Sequence, residues 1–324
     1  PMKPSLKRAL FSLVPLVVVM GGTEIGLRAA DWPKPDGKFE HNEPFWLTPA
    51  DQVSKSYPHR EIGGSFNVSS NSDGLRSPLH SQDNGDDAWR IMTLGCSTTF
   101  GWGVEDGASY PAQLQQMLQD QGHTGVEVIN AGQPGYTSFQ GRWLWDETLK
   151  DYAPDVVLLG FVVQDARKAA YSDKSQAVLQ QDHRFMKDNL LYRSRAYLGL
   201  RHLLGAVQVR AKERPEGGEG GIYRVPPEDF ADNLRHLVAG VRAAGGTPVI
   251  FGYPLEREGY TAHHRLIMRA AASELHVSYL DLQGRMDAAS RQERLYFDKD
   301  RGHANAAGNK RIAKWVAEFL DKQS

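Results

Sequence analysis

One cysteine, Cys96, is the whole thiol content of the chain, which excludes an intrachain disulfide and any thiolate-rich metal site. An excess of charge of either sign is missing as well. The 38 Lys and Arg residues face 39 Asp and Glu, for a formal net charge of −1. They are spread along the sequence, so nothing electrostatic recommends nucleic acid as a partner. Absent too are a phosphate-cradling glycine loop, a dinucleotide fingerprint, a zinc motif and any internal repeat. His183, His236, His263, His264 and His276 stand without partners at ligand spacing, and His263-His264 reads as a surface pair. No cofactor and no metal are expected.

Long apolar runs are scarce, and the one that stands out opens the chain. After Lys3, Lys7 and Arg8 an apolar run extends from Ala9 to Gly22 and, with Glu24 inside it, to Leu27. Positive charge ahead of such a run fits a signal peptide or an N-in anchor and places the remainder outside the cytoplasm. No clean Ala-x-Ala site precedes Asp31, which favours a retained anchor over residues 1–30. Glu24 and Arg28 lie one helical turn apart and are spaced to pair.

Residues 31–88 are polar and rich in turn formers, as in Asp31-Trp32-Pro33-Lys34-Pro35-Asp36-Gly37. They form a lead-in, a spacer and a cap on the sheet edge, with a small hairpin around Ser65-Phe66-Asn67-Val68-Ser69 and a turn at Asn71-Ser72-Asp73-Gly74-Leu75-Arg76. From Arg90 strands and helices alternate. Apolar residues at helical spacing follow Tyr110-Pro111, Val126–Asn130 is a strand, and Phe139–Asp151 reads as a helix. Asp155–Val163 is a continuous apolar run of the kind buried on both faces of a parallel sheet. Later come a helix opening at Pro227, a strand at Thr247–Pro254, a helix over 261–275, a strand at Val277–Leu282 and a closing helix over 307–320. The alternation predicts an α/β fold with a doubly wound, mostly parallel sheet flanked by helices, over residues 89–324. Residues 166–222 break the rhythm with positive charges among Leu and Tyr and a Gly-rich stretch. They read as an insertion, either a lid over the active-site edge or a solvated helical excursion.

The chemistry concentrates in two places. Strand Arg90–Leu94 runs into Gly95-Cys96-Ser97-Thr98-Thr99-Phe100-Gly101, the way an α/β protein lifts a serine hydroxyl to the carboxyl edge of its sheet. Ser97 is the candidate nucleophile and needs a base and an orienting acid. Near the end, Asp298-Lys299-Asp300-Arg301-Gly302-His303 sets Asp300 three residues before His303 at the start of a helical run. Asp298 is the alternative orienter, and Asn305 and Gly308 shape the loop and the helix start.

These stretches resemble the SGNH/GDSL hydrolases, of the membrane-anchored bacterial type. In that family a first block ending in Thr-Phe-Gly carries the nucleophile and a final Asp-x-x-His carries the acid and base. The resemblance covers roughly residues 60–320 and implies a flavodoxin-like three-layer sandwich with Ser97, His303 and Asp300 as the catalytic residues. It assigns the oxyanion donors to the backbone N–H of Ser97, that of Gly132 in Asn130-Ala131-Gly132, and an asparagine in a Gly-x-Asn-Asp block. Here that block is Val162-Val163-Gln164-Asp165, so Gln164 takes the asparagine's place. Cys96 is a small filler where the family has Asp or Gly, or else a reactive thiol beside Ser97.

The resemblance implies a periplasmic serine esterase or acyltransferase, held in the bacterial inner membrane by one N-terminal anchor. Its substrate would be acyl esters, commonly acetyl, of an envelope glycan or lipid, with a membrane-bound O-acyltransferase as a possible neighbour. The alternative is a catalytically weakened SGNH-fold subunit of a membrane protein complex.

Overall fold

In the computed structural model the described residues are 4–30, 32, 45–59, 63–78, 88–169, 172–177, 194–200, 203, 221–256 and 259–322. The chain divides into two compact units, one of Pro1–Lys38 with Ser175–Gly220 and the other of Phe39–Lys174 with Gly221–Ser324.

In the first unit, helix α1 (Pro4–Ala29) contains Pro15. Near its end Glu24 accepts hydrogen bonds from the Ser194 hydroxyl (2.8 Å) and from the backbone N–H groups of Arg195 and Ala196 (both 2.9 Å). Its carboxylate thereby caps the helical residues 195–200. Arg28 Nε joins the same carboxylate at 2.7 Å, the pair anticipated from spacing. The apolar run Ala9–Gly22 falls largely on residues whose side chains lie outside the described set. Among the described residues no helix is long and apolar enough to cross a membrane.

The second unit opens with an antiparallel hairpin, β1 (Lys55–Pro58) against β2 (Ser65–Val68). Then come β3 (Trp89–Gly95), the one-turn helix α2 (Ser97–Phe100), α3 (Tyr110–Asp120), β4 (Val126–Asn130), α4 (Ser138–Glu147) and β5 (Val156–Gly160). A short antiparallel ladder, β6 (Lys168–Ala169) with β7 (Ile222–Tyr223), closes the two ends of the insertion. Most of the insertion lies outside the described residues. The chain ends with α5 (Pro227–Ala243), β8 (Thr247–Gly252), α6 (Ala262–Leu275), β9 (Ser278–Asp281), α7 (Gln283–Ser290) and α8 (Ala306–Leu320).

Five strands form one parallel sheet in the order β4-β3-β5-β8-β9. Ile91, Met92 and Leu94 of β3 and Val157, Leu158 and Leu159 of β5 are fully buried, as a parallel sheet covered on both faces requires. The cover comes from amphipathic helices. In α5 the buried stripe is Phe230, Leu234, Leu237, Val238 and Val241, a helical period. Helices α3 and α8 pack together, and α4, α5 and α6 pack in series. Counted along the chain, the parallel strands run 2-1-3-4-5, so the order reverses between β3 and β5. Open α/β sheets place their crevice at such a reversal.

Local differences from the sequence expectation have local causes. The helix expected to reach Asp151 stops at Glu147 and tightens into the 3-10 turn Leu149–Tyr152, ended by Ala153 in the left-handed region (φ 45°). The run Asp155–Val163 pairs only to Gly160, while Phe161, Val162 and Val163 stay buried beyond the ladder. Helix α7 had no apolar period to announce it, because only Gln283 and Met286 are buried along it.

Candidate active site

Three chain blocks leave the carboxyl ends of the adjacent strands β4, β3 and β5. Gly95, at the end of β3, is paired with Gly160, at the end of β5, and Thr93 with Asn130 at the end of β4. Beyond β3 the backbone passes through an extended Cys96 (φ −101°, ψ −154°) straight into α2. This sharp turn needs Gly95, where a Cβ would stand 2.2 Å from Thr99 Oγ1. Gly101, at φ 81°, ends the turn. Ser97 is the first residue of α2, where a backbone N–H has no helical partner to serve.

The other half of the site is a loop pinned ahead of α8. An isolated bridge joins Tyr296 to Ala304, and Asn305 N–H donates to Leu295 O at 3.0 Å. Asn305 caps α8 by accepting from Gly308 N–H (2.9 Å) and ties the loop down by donating Nδ2 to Arg294 O (2.9 Å). Gly308 is required there, since a Cβ would meet Leu295 O at 2.1 Å. The loop sets His303 Nε2 at 2.8 Å from Ser97 Oγ and His303 Nδ1 at 2.6 Å from Asp300 Oδ2. Asp298 points elsewhere, paired with Arg294 at 2.5 Å and exposed, so Asp300 is the carboxylate on His303.

An ionised carboxylate only accepts, so His303 carries its proton on Nδ1 and leaves Nε2 as the acceptor facing the serine hydroxyl. Burial works to raise the Asp300 carboxyl. The hydrogen bond and charge of His303, a second hydrogen bond from His59 and the Gly302 N–H overcome it and hold the group at about 2. Ser97 is 5% exposed. Chemically the series is a nucleophile, a base and an orienter in hydrogen-bond contact.

Gly132 presses on α2 so closely that a Cβ would lie 2.3 Å from Phe100 N. Its N–H donates to Asn130 Oδ1 at 3.1 Å, so the backbone donor named from the sequence is already engaged. Gln164 is half-buried and its Oε1 accepts from Arg224 Nη1 at 3.1 Å. The same guanidinium donates to Gly135 O (2.9 Å) and grips Asp173 through Nε (2.9 Å) and Nη2 (2.7 Å). Asp165 is fully buried, with Oδ1 accepting from Ser138 N–H at the start of α4 (2.8 Å). Oδ2 has no hydrogen-bond partner among the described residues.

The lead-in is more than a spacer. Arg76, 6% exposed, donates to Phe100 O and Gly101 O (3.0 and 2.7 Å), to Val104 O and Asn67 O (2.7 and 3.0 Å) and to Asp106 Oδ1 (2.8 Å). It clamps the hairpin to the loop that follows the nucleophile helix. Thr48 donates twice to Gln133 Oε1, Trp46 Nε1 donates to Pro134 O (3.2 Å), and the Tyr136 hydroxyl donates to Trp46 O, so the lead-in is tied along the block holding Gly132. His59, from the end of β1, reaches Asp300 Oδ2 with Nε2 at 3.0 Å. Sequence reasoning missed His59, Arg76 and Arg224 as site residues. Only Arg76 had a signal, its place in the turn Asn71–Arg76.

Two smaller readings are settled. Cys96 is buried against Thr98 Oγ1 (3.3 Å), and burial pushes its thiol up, so it fills space and is not primed to react. The expected surface pair His263-His264 is only half right. His263 is exposed, but His264 is fully buried with Nε2 on Val225 O at 2.9 Å. Among the described residues no group of three or more His, Cys, Asp or Glu side chains could hold a metal ion.

The chain is similar to LAE5, an alpha/beta hydrolase enzyme from the metagenome of Lake Arreo, Spain (19% identity, 71% of this chain and 94% of that one, TM-score 0.48). It is also similar to a putative lipolytic protein of the G-D-S-L family from Desulfitobacterium hafniense DCB-2 (18%, 71% and 98%, 0.47). A third is a catalytic mutant of Axe2, an acetylxylan esterase from Geobacillus stearothermophilus (16%, 74% and 95%, 0.47). No curated protein matches. Residues 93–311, which span the serine turn, the Gly132 and Gln164 blocks and the Asp300–His303 loop, match the GDSL-like lipase/acylhydrolase family, and the chain belongs to that family.

Proposed function

We propose that the protein is a serine esterase or acyltransferase acting on acyl esters, acetyl in the first place, of an envelope glycan or lipid. The observation that carries this reading is the hydrogen-bonded series Ser97 Oγ, His303, Asp300 Oδ2. As Ser97 Oγ bonds to the acyl carbon, its proton passes to His303 Nε2, and the Asp300 carboxylate stabilises the imidazolium. The carbonyl oxygen takes the electron pair and is met by the Ser97 N–H and the Gln164 amide. Collapse breaks the ester C–O bond, and His303 returns the proton to the leaving alcohol. Water, or the hydroxyl of an acceptor sugar or lipid, then takes the acyl group by the reverse steps.

The basic residues ahead of the apolar run at Ala9–Gly22 support an anchor in the bacterial inner membrane, with the hydrolase unit in the periplasm. A membrane-bound O-acyltransferase is the partner such an anchor would meet. The test is hydrolysis of p-nitrophenyl acetate together with labelling of Ser97 by a fluorophosphonate. Neither signal above the level of Ser97→Ala would overturn the reading. Protease accessibility of the hydrolase unit in spheroplasts tests its location.

A second reading, a catalytically weakened SGNH-fold subunit of a membrane complex, draws on the engaged Gly132 N–H and on Gln164 in the asparagine's place. Co-purification from mild detergent of a stoichiometric partner, with no esterase activity, would favour it.

A further inference from the structure

Asp300 receives a hydrogen bond that the Ser97–His303–Asp300 series does not need. His59, 241 residues upstream, places Nε2 3.0 Å from the same Oδ2 that His303 Nδ1 contacts at 2.6 Å, while Gly302 N–H serves Oδ1 at 3.2 Å. Because the carboxylate is ionised and accepts only, both imidazole nitrogens facing it carry protons. The second imidazole is no chance surface contact. His59 is 2% exposed, with its ring edge-on to Phe297 (4.9 Å between centroids) and to Phe66 (6.1 Å). Its backbone N–H is fixed on Gly64 O at 3.0 Å. Room for the ring is left by Gly103, at φ +89°, where a Cβ would come within 2.6 Å of His59 Cε1.

We propose that His59 is a positioning residue of the acyl-transfer site, holding the Asp300 carboxylate in the one orientation that aligns His303 with Ser97. The proposal rests on the reading of Ser97, His303 and Asp300 as the reacting series. With donors from His303, His59 and Gly302 the carboxylate cannot rotate without breaking at least one charge-assisted bond. The His59 donor also tempers the negative charge that His303 senses. Neutral or protonated, His59 draws on the same oxygen, so its removal has one sign: it raises the proton affinity of His303. The other ionisable neighbours are few. Ser97 faces His303 from α2, Arg301 on the same loop is turned to Glu256 (3.4 Å), and Asp298 to Arg294.

The experiment uses the full chain and two variants. His59→Phe keeps a ring in the slot without the donor, and His59→Gln restores a donor at nearly the same reach. Each is measured for the pH profile of kcat/KM with p-nitrophenyl acetate, and the His303 ring is followed by NMR titration. In His59→Phe, kcat is expected to fall roughly 10- to 100-fold with KM little changed. The acidic limb of the profile and the His303 midpoint should both move up by about half a unit or more. His59→Gln should recover most of the rate and bring the midpoint back. A His59→Phe enzyme with the wild-type rate and midpoint would overturn the proposal. So would a His59→Gln enzyme as impaired as His59→Phe with the His303 midpoint unmoved, which is the mark of a packing role alone. If wild-type protein proves inactive on esters while the His303 midpoint still moves with His59→Phe, the esterase reading fails and the positioning contact stands.

Discussion

Gln164 carries one methylene more than the asparagine its block would have, and a longer side chain samples more rotamers than an oxyanion donor tolerates. Arg224 removes that freedom by taking Oε1 at 3.1 Å while itself locked on Asp173 and Gly135 O, which leaves the NH₂ end to serve as the donor that the proposed mechanism asks of it. Shortening the residue should therefore hurt. Gln164→Asn is expected to lower kcat by about tenfold, since the tether is lost, and Gln164→Ala by about a hundredfold, the value of one oxyanion donor. A gain in rate for Gln164→Asn would instead favour the weakened-site reading. The neighbouring residue sets a pH effect on stability. Burial pushes the Asp165 carboxyl up to about 6 against the pull of the Ser138 N–H, from an ordinary 3.8. The folded chain then binds more protons than the unfolded one between those values, so stability falls as pH rises through that window, on the order of 3 kcal/mol. Asp300 has the opposite sign, because its lowered value adds stability above about pH 4 that is lost as pH falls through about 2. Urea titrations at pH 4, 5, 6 and 7 should show the Asp165 slope in wild type and not in Asp165→Asn.

At the scale of elements, the nucleophile turn is held from outside by a segment that the sequence marked only as a lead-in. Arg76 satisfies four backbone carbonyls of the hairpin and of the turn after α2 and pairs with Asp106. Its guanidinium also lies over the Phe100 ring at 4.9 Å. A lysine has neither the fork nor the plane to do this. Arg76→Lys and Arg76→Met are both expected to cost about 3 kcal/mol, read as a lower urea midpoint, and to slow fluorophosphonate labelling of Ser97 as the turn loosens. The opposite end of the site was far more legible. Asp300, His303, Asn305 and Gly308 are close in sequence, and each does its work through short-range geometry, so spacing alone announced the loop and the cap of α8. Ser97 was legible for the same reason, since a strand, two small residues and a Thr-rich turn define it locally. His59 and Arg224 act over long sequence separations through single contacts, and no periodicity or spacing encodes such a contact. The hydrogen bond from Gly132 to Asn130 was hidden differently, because it depends on a side-chain rotamer and not on residue type.

For the whole molecule, the alternation of apolar runs was enough to predict the parallel sheet, and the strand order explains why three separate blocks meet. The reversal between β3 and β5 opens the crevice, and Ser97 and Gln164 are the residues that follow those two strands. What alternation did not reveal is the partition of the chain, in which Pro1–Lys38 and Ser175–Gly220 form one unit and the sheet with its helices forms the other. The two crossings to the insertion are joined by backbone pairing. Ala169 is in register with Ile222, and Asp173 N–H donates to Arg224 O at 2.8 Å. Lys174 and Gly221 lie one and three residues beyond the hydrogen-bonded pair Asp173 and Arg224, so a linker of about six Gly and Ser residues, reaching ~20 Å when extended, can bridge Lys174 to Gly221 without disturbing Asp173 or Arg224. A chain lacking Pro1–Lys38 and carrying that bridge in place of Ser175–Gly220 keeps every described contact of the triad, the Arg76 clamp and the Arg224 network. It is expected to be soluble without detergent, to unfold in a single urea transition and to hydrolyse p-nitrophenyl acetate within about tenfold of the full chain, a loss of at most one donor's worth of alignment. Failure to fold would show that the insertion unit stabilises the sheet. Folding with complete loss of activity would place part of the catalytic apparatus in the deleted segments.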